Sequence, residues 1–196
     1  AGQVWLITIG GRNTVVQVGA EGVLVVNPGA EQLADTVLAE IRKLAGDKRI
    51  RVLIDTNDDP MHVGGNAKLA AGPTPASQRA AIMAHENSSL RMAMAHVPDR
   101  EAPTDTFFRG TRELYFNDEP IEIIHVPAAT SDGDVLVFFR KSDVVVAGDV
   151  IQDEIVQCQA ATNCERIAIA GGEPLLYPHL DEVDRKSTRL TPVTVR

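Results

Sequence analysis

The sequence predicts a layered α/β protein with a β-sheet at its centre. Three short runs of β-branched residues separated by glycine-rich turns open the chain, at 4–9, 14–18 and 23–26, and such a pattern is typical of an antiparallel meander. The apolar residues between Leu33 and Leu44 then recur at the spacing of one helix face. Strands and helices alternate again in the second half without a linker, so we expect the elements to pack as layers around one core.

The remaining elements are predicted from the same two periodicities and from the glycines and prolines that interrupt them. Gly46 is placed to end the first helix. The elements expected after it are, in order, a strand at 50–54, a short helix at 67–71, a strand at 80–84, a helix from 85 to about 95, strands at 112–116, 121–126, 135–140, 144–147 and 167–170, and a helix at 175–185. The expected domain covers residues 1–185, and residues 186–196, which show no clear period, are expected to form a C-terminal tail.

Composition and charge exclude several classes of function. The chain has 196 residues, and 19 Lys and Arg against 27 Asp and Glu give it a net charge of −8. Nucleic-acid-binding proteins need a basic face, and an anionic membrane surface also attracts basic segments. No apolar run approaches the roughly 20 residues of a membrane-spanning helix. Nucleic acid and a membrane span are therefore not expected as partners, and the oligomeric state is left open.

The cysteines and the first residue of the sequence provide information about the cellular location of the protein. Cys158 and Cys164 are too few for a disulfide scaffold and lack the C-x-x-C spacing. They are interpreted as two unpaired small apolar residues, with a local disulfide as the alternative. The chain starts with Ala1 instead of Met, which fits either a mature exported protein or a trimmed chain. This start favours a secreted or periplasmic location, with the cytoplasm as the alternative.

Five segments, in order, resemble the metallo-β-lactamase superfamily. Residues 56–66 read TNDDPMHVGGN in the frame of that family's T-H-x-H-x-D-H-x-G-G-N. The segments 22–29, 84–87, 127–134 and 144–149 resemble, respectively, G-V-L-V-V-D-x-G, A-H-E-N, P-A-A-H-T-x-G-D and a strand ending in G-D. The resemblance covers about residues 4–150 and implies an αββα sandwich.

The chain departs from the family at the zinc ligands. The family's first motif supplies two His to one zinc, and an Asp and a His to a second. In this chain those four positions hold Asn57, Asp59, Met61 and His62. A later family His is replaced by Thr130, whereas the Asp of the G-D pair is retained as Asp149.

The resemblance therefore implies an altered metal site made of Asp59, His62 and Asp149. Zinc favours imidazole and thiolate, usually with three protein ligands and one open position for water. Asn57 is a poor zinc ligand, and Met61 does not replace a carboxylate. An oxygen-rich site suits Mn, Fe(II), Mg or Ca better than Zn, so the expected cofactor is a divalent metal (Zn, Mn or Fe) or none.

Other candidates are open to two interpretations each. His179 is a candidate for the family's last metal-binding His, but a competing alignment of Gly171 and Gly172 leaves that segment out. The residues Asp55, Asp58 and Asp59 form either a carboxylate cluster for a metal or a loop with Asx-turns ahead of a helix. Two structural predictions concern histidines: His85 starts a helix, and His96 and His125 are packing or surface residues.

The resemblance implies one of two functions, with a small-molecule substrate or ligand as the expected partner. In the first, a metal held by Asp59, His62 and Asp149 polarises a carbonyl group and activates water, and the substrate is an ester, lactone, thioester or lactam. In the second, the chain is a non-catalytic member of the fold, a pseudoenzyme, that has lost zinc binding and whose cleft binds a ligand or partner. The loss of so many ligand positions slightly favours the second mechanism.

Overall fold

Two β-sheets and four α-helices make up the part of the chain that the structure describes. The computed structural model describes residues 3–71 and 79–150 and two further strands at 167–168 and 192–195. The strands are β1 (Val4–Ile9), β2 (Arg12–Val18), β3 (Val23–Val26), β4 (Ile50–Ile54), β5 (Ala81–His85), β6 (Asp105–Phe107), β7 (Thr111–Phe116), β8 (Glu119–His125), β9 (Val135–Phe139), β10 (Val144–Val146), β11 (Ile167–Ala168) and β12 (Pro192–Val195). The helices are α1 (Ala34–Ala45), α2 (Pro60–Val63), α3 (Asn66–Ala70) and α4 (Glu86–Met94), and a 3-10 turn at Glu31–Leu33 precedes α1.

The two sheets differ in the relative directions of their strands. The larger sheet has the order β12-β1-β2-β3-β4-β5-β6, and the smaller has the order β11-β10-β9-β8-β7. In the larger sheet, β1, β2 and β3 are antiparallel neighbours, whereas β3 to β6 pair in parallel. The predicted opening meander is therefore present. In the smaller sheet, β7 to β10 form antiparallel pairs.

Alternate side chains of the apolar strands lie in different layers of the protein, because successive side chains of a strand point to opposite faces. In β3, Leu24 and Val26 lie in the core between the two sheets, while Val23 and Val25 pack on the opposite face, in the cluster that includes Ile41 of α1. In β9, Val137 and Phe139 lie in the core between the sheets, and Phe138 lies in a separate cluster. Strands buried on both faces read as continuous apolar runs, and this explains why the sequence shows them without alternation. The predicted layered architecture is confirmed.

Besides the 3-10 turn before α1 and strand β12, two short elements were not predicted. The four-residue helix α2 lies inside the polar segment that follows β4, and the three-residue strand β6 lies between the predicted helix that ends at about residue 95 and the predicted strand at 112–116. Neither is long enough to show a periodicity. The α2 helix forms because Asp59 caps it and Pro60 occupies its first position, which is where proline suits a helix.

Some predicted features lie in parts of the chain that the structure does not describe. His179, Cys158, Cys164 and the helix expected at 175–185 lie outside the described residues. Strand β12 lies inside the expected tail and pairs in parallel with β1, and the domain boundary at residue 185 stays a prediction. Among the described helices, none has the length and apolar character needed to cross a membrane, and the location of the protein stays a prediction.

Candidate functional site

The site lies where the loops after β3, β4 and β10 meet. The side chain of Asn27, after β3, donates a 2.8 Å hydrogen bond to Thr56 Oγ1, and its Oδ1 accepts one of 3.0 Å from the Thr56 backbone N–H. Gly148, after β10, has a φ of +57°, and a Cβ at this position would lie 2.4 Å from Thr56 Oγ1. Only glycine combines this left-handed conformation with so close an approach. The contact brings the residues that follow, Asn57 and Asp149, next to each other.

The amide of Asn57 stands at the centre of the site. Its Oδ1 accepts a 3.1 Å hydrogen bond from the Asp59 backbone N–H and lies 2.9 Å from His62 Nδ1. Its Nδ2 donates to Asp149 Oδ2 at 3.0 Å and to Asp134 Oδ1 at 3.3 Å. Because the backbone N–H can only donate, this network assigns the orientation of the amide. It also makes His62 Nδ1 the donor to Asn57.

Asp134 is a completely buried carboxylate beneath the site. Its Oδ1 accepts a 2.9 Å hydrogen bond from Thr130 Oγ1 in addition to the one from Asn57. Its Oδ2 accepts from both the hydroxyl and the backbone N–H of Ser131. A buried carboxylate needs this number of donors, because removing its charge from water is otherwise unfavourable. The loop before β9 is thus tied to the loop after β4 through one charged group.

Asp149 faces His62 and is only partly shielded from solvent. Oδ1 of Asp149 lies 3.4 Å from His62 Nε2, and the His62 side chain is buried. Burial by itself would raise the pKa of Asp149, but hydrogen bonds from His62 and Asn57 and the positive charge of Arg12 outweigh it, so the pKa lies below its usual value. Asp149 therefore carries its negative charge at neutral pH.

The three carboxylates of the 55–59 segment have separate roles. Asp55 is fully buried and accepts a 2.8 Å hydrogen bond from Asn66 Nδ2. Burial raises the pKa of Asp55 to about 8, although the hydrogen bond from Asn66 opposes this. Asp58 pairs with Arg91, and Oδ1 of Asp59 accepts a 2.8 Å hydrogen bond from the Met61 backbone N–H at the start of α2. The turn-and-cap interpretation of this segment is the one that the geometry favours.

The described residues do not fit the two-zinc site of the family. His62 Nε2 and Asp149 Oδ1 have the separation of neighbouring ligands around a tetrahedral ion with bonds of about 2.0–2.1 Å. However, Asp59 is occupied as a helix cap, and Asn57 directs its N–H groups, not a lone pair, at Asp134 and Asp149. Within residues 3–71 and 79–150, no group of three or more His, Cys, Asp or Glu side chains could hold a metal ion. The structure thus brings together two of the predicted ligands, His62 and Asp149.

A cleft of about 400 Å³ opens above this network. It is lined by residues 57–60, Arg91, Thr130, Ser131 and Asp149. Arg91 comes from α4 and donates hydrogen bonds to Asp58 Oδ1 at 2.6 and 2.8 Å, to Ser131 Oγ at 3.0 Å and to Asp132. Its guanidinium group therefore connects two loops that line the cleft, one through Asp58 and the other through Ser131.

Sequence reasoning missed Arg91, and it expected Asp134 only as one of several acidic residues around the cleft. Asp134 ends the 127–134 segment that resembles the family, so a signal for it was present. Arg91 had no comparable signal, because its partners Asp58 and Asp132 lie 33 and 41 residues away in the chain.

Comparison with known proteins identifies the fold. No protein-family model and no curated protein matches the chain. Among solved structures, the metallo-β-lactamase MIM-1 from Novosphingobium pentaromativorans matches with a TM-score of 0.66 and 15% identity, over 96% of this chain and 79% of that one. The metallo-β-lactamase from Pontibacter korlensis matches with a TM-score of 0.65 and 14% identity, over 88% of both chains. The chain has a metallo-β-lactamase-like fold. The predicted αββα class is therefore confirmed.

The same fold occurs in proteins of other names and lengths. The sec-alkylsulfatase Pisa1 from a Pseudomonas species matches with a TM-score of 0.64 and 9% identity. The match covers 76% of this chain but only 30% of that one, so the chain spans about a third of the sulfatase's length. A mutant of a flavo di-iron protein from Thermotoga maritima matches with a TM-score of 0.62 and 8% identity, over 89% of this chain and 51% of that one. The names of the metallo-β-lactamases and of the di-iron protein associate the fold with metals, and identities this low establish the fold alone.

Proposed function

We propose that this chain is a metallo-β-lactamase-fold domain whose cleft binds a small polar molecule without two-zinc hydrolysis. The observation that carries the proposal is the position of the Asn57 side chain, which donates to both Asp134 and Asp149. Asn57 stands at the position of the family's first zinc-binding His. An amide N–H group that donates to two carboxylates occupies lone pairs on their oxygens that a cation would use.

The electrostatics of the network support this proposal. Asp134 is fully buried and Asp149 partly buried, and two such negative charges close together are unfavourable unless they are compensated. Here the compensation comes from the chain itself, through Asn57, the hydroxyls of Thr130 and Ser131, and His62. The network thus needs no divalent ion to balance its charge.

The lining of the cleft indicates the chemistry of its ligand. Asp59 is exposed and the Asp149 side chain is 18% exposed, so both carboxylates can meet a ligand. Arg91 already pairs with Asp58 and Asp132, which leaves little positive charge to attract an anion. A neutral polar or positively charged small molecule fits this lining better than an anion does.

A metal-dependent hydrolase of an ester, lactone, thioester or lactam is the second candidate. The observation that favours it is the 3.4 Å separation of His62 Nε2 and Asp149 Oδ1, which suits two ligands of one ion. Asp59 would complete the predicted ligand set only after leaving its capping position on α2.

Metal content distinguishes the two candidates. The protein is purified without chelator, its Zn, Mn and Fe are quantified, and thermal unfolding is followed with each metal added. A ligand that binds only the folded state must raise the unfolding temperature. We expect no stoichiometric metal and no metal-dependent stabilisation. Stoichiometric metal that is lost in Asp149→Ala and kept in the exposed control Asp99→Ala, together with hydrolysis of an ester or lactam, would overturn the proposal.

Ligand binding is tested on the same protein by NMR. A collection of small amines, neutral polar compounds and carboxylates is added to ¹⁵N-labelled protein. We expect amines or neutral compounds to shift the signals of Thr130, Ser131 and the Arg91 Nε–H group, which line the cleft. The proposed ligand chemistry is contradicted if no compound shifts these signals, or if only the carboxylates shift them.

A further inference from the structure

His85 performs two structural tasks with one imidazole ring. It ends β5 and is the N-cap of α4, where its Nδ1 accepts a 3.2 Å hydrogen bond from the Asn87 backbone N–H. An Nδ1 that accepts has no proton, so this cap exists only while the ring is neutral with its proton on Nε2. The side chain is 2% exposed, and Nε2 is buried beside the Phe108 backbone without a well-formed hydrogen bond among the described residues.

The His85 ring is stacked on His125, the last residue of β8. The two ring centroids are 3.6 Å apart and the planes differ by 13°. From β6, Phe107 meets the His85 ring edge-on at a centroid distance of 5.4 Å. His125 Nε2 in turn donates a 2.8 Å hydrogen bond to the Asp132 carbonyl. His85 is thereby connected, through one ring contact, to the loop between β8 and β9.

The same loop is attached to the first turn of α4 at two further points. Asn87 Nδ2 donates a 2.9 Å hydrogen bond to the Asp132 carbonyl, and Ser88 Oγ donates one of 3.1 Å to the Gly133 carbonyl. A Cβ at Gly133 would lie 2.4 Å from Ser88 Oγ, so the loop backbone lies directly against the helix. This loop carries Thr130 and Ser131, which line the cleft.

A proton on His85 acts against the cap of α4. Protonation of Nδ1 removes the hydrogen-bond acceptor of the cap and places a positive charge at the positive end of the α4 dipole. Burial and the neighbouring His125 lower the pKa of His85, while the Phe108 backbone and the negative charges of Asp132 and Glu86 oppose this shift. Phe107, from β6, is uncharged. The neutral ring is thus the form that the folded contacts require.

We propose that the His85–His125 stack is an acid-sensitive latch. It holds the 126–134 loop, which forms part of the cleft wall, against α4, and it releases this loop when His85 gains a proton. An effect of the latch on ligand binding rests on the proposed function of the cleft. The movement of the loop does not, because it is measured on the protein without ligand.

Hydrogen exchange of the full-length protein tests the latch. The protection of backbone amides at 130–134 is measured at about pH 7.5 and about pH 5 and corrected for intrinsic exchange. Protection is expected to fall about fivefold or more at the lower pH. In His85→Asn the fall is expected to vanish, because Asn caps helices well and does not titrate. His96→Asn is the matched control, since His96 has a φ of +57° that Asn tolerates, and its profile should match the unsubstituted protein.

A second variant tests the role of the stack. His125→Phe keeps an aromatic ring on His85 but removes the second imidazole, so the loss of protection is expected to begin at a higher pH. Unchanged protection in the unsubstituted protein, an equal fall in His85→Asn, or an unshifted profile in His125→Phe would each overturn the latch. An opening latch in a protein whose cleft binds none of the tested small molecules would overturn the proposed function alone.

Discussion

The side-chain amide of Asn57 donates a 3.0 Å hydrogen bond to Oδ2 of Asp149, across 92 residues of sequence. The same amide nitrogen also reaches Asp134, which is completely buried. In this fold the two carboxylates are thus bridged by a neutral donor from the chain itself. Four predictions follow from the contacts around this amide and its loop.

Removal of the Asn57 amide is expected to destabilise the protein. In Asn57→Ala, Asp134 and Asp149 each lose a donor, and the Asp59 backbone N–H loses its acceptor. A buried group left without its partner costs about 1–3 kcal/mol, so the free energy of unfolding in urea should fall by about that amount. The exposed amide Gln32 provides the control, since Gln32→Ala should change it by less than about 0.5 kcal/mol. Equal stability of the two variants would contradict the bridging role of Asn57.

Asp59 is expected to act as a helix cap, and a pair of variants separates this role from metal binding. Asp59→Ala removes the acceptor for the Met61 N–H and should lower the free energy of unfolding by about 1 kcal/mol. Asp59→Asn retains a capping oxygen and should recover most of this loss, although an amide is a poor metal ligand. Urea unfolding of both variants, in metal-free buffer, measures the difference. The capping role fails if Asn is no better than Ala at this position.

Asp55 should make the stability depend on pH in the opposite sense to an ordinary surface carboxylate. Burial raises its pKa from 3.8 to about 8 in the folded protein. Between these values the folded state binds more protons than the unfolded state, so the free energy of unfolding falls as pH rises, by at most about 1.4 kcal/mol per pH unit. Asp55→Asn is uncharged at every pH and should remove this slope and stabilise the protein at about pH 8.

Urea unfolding at several pH values measures the Asp55 effect. Asp47→Asn, at an exposed position in the turn after α1, is the control and should leave the slope unchanged. Parallel pH profiles for Asp55→Asn and the unsubstituted protein would show that Asp55 is already ionised in the folded state at neutral pH.

Arg91 should hold together two loops that line the cleft. Arg91→Lys keeps the charge but loses the planar fork that reaches Asp58, Ser131 and Asp132 at once. We expect a modest loss of stability, about 0.5–1 kcal/mol because the group is a third exposed. We also expect faster amide exchange at 130–134. Arg140→Lys, in an exposed pair with Glu122, is the control and should leave exchange at 130–134 as it is.

The strands and the longer helices were predictable because their signals are local. The apolar runs at β3 and β9 match the observed strands within a residue, and α1 follows from the helical spacing between Leu33 and Leu44. The four-residue helix α2 and the three-residue strand β6 escaped prediction, since elements this short do not repeat their period often enough to be recognised. Strand β6 exists through its parallel pairing with β5, which begins at Met83 and Asp105.

The candidate site was predictable only in part. The family resemblance pointed to His62 and Asp149, which do lie together, and to Asp59, whose side chain caps α2 instead of joining them. The stack of His85 on His125 had no sequence signal, because each of the two residues, taken alone, is typical of a structural histidine.

The sequence by itself determined most of the strands and the longer helices, and it showed Asn57, Asp59, Met61 and Thr130 at positions where the family that it resembles has zinc ligands. Both follow from residue types read over short distances, where backbone preferences and side-chain periodicity act. The tertiary structure alone decided which groups surround the carboxylates of Asp134 and Asp149. Asn57 meets Asp134 and Asp149 at separations of 77 and 92 residues, and contacts at such separations depend on how the two sheets bring their loops together. Buried charges must find partners wherever the folded chain places them, and in this protein the partners of Asp134 and Asp149 include the amide of Asn57 and the hydroxyls of Thr130 and Ser131.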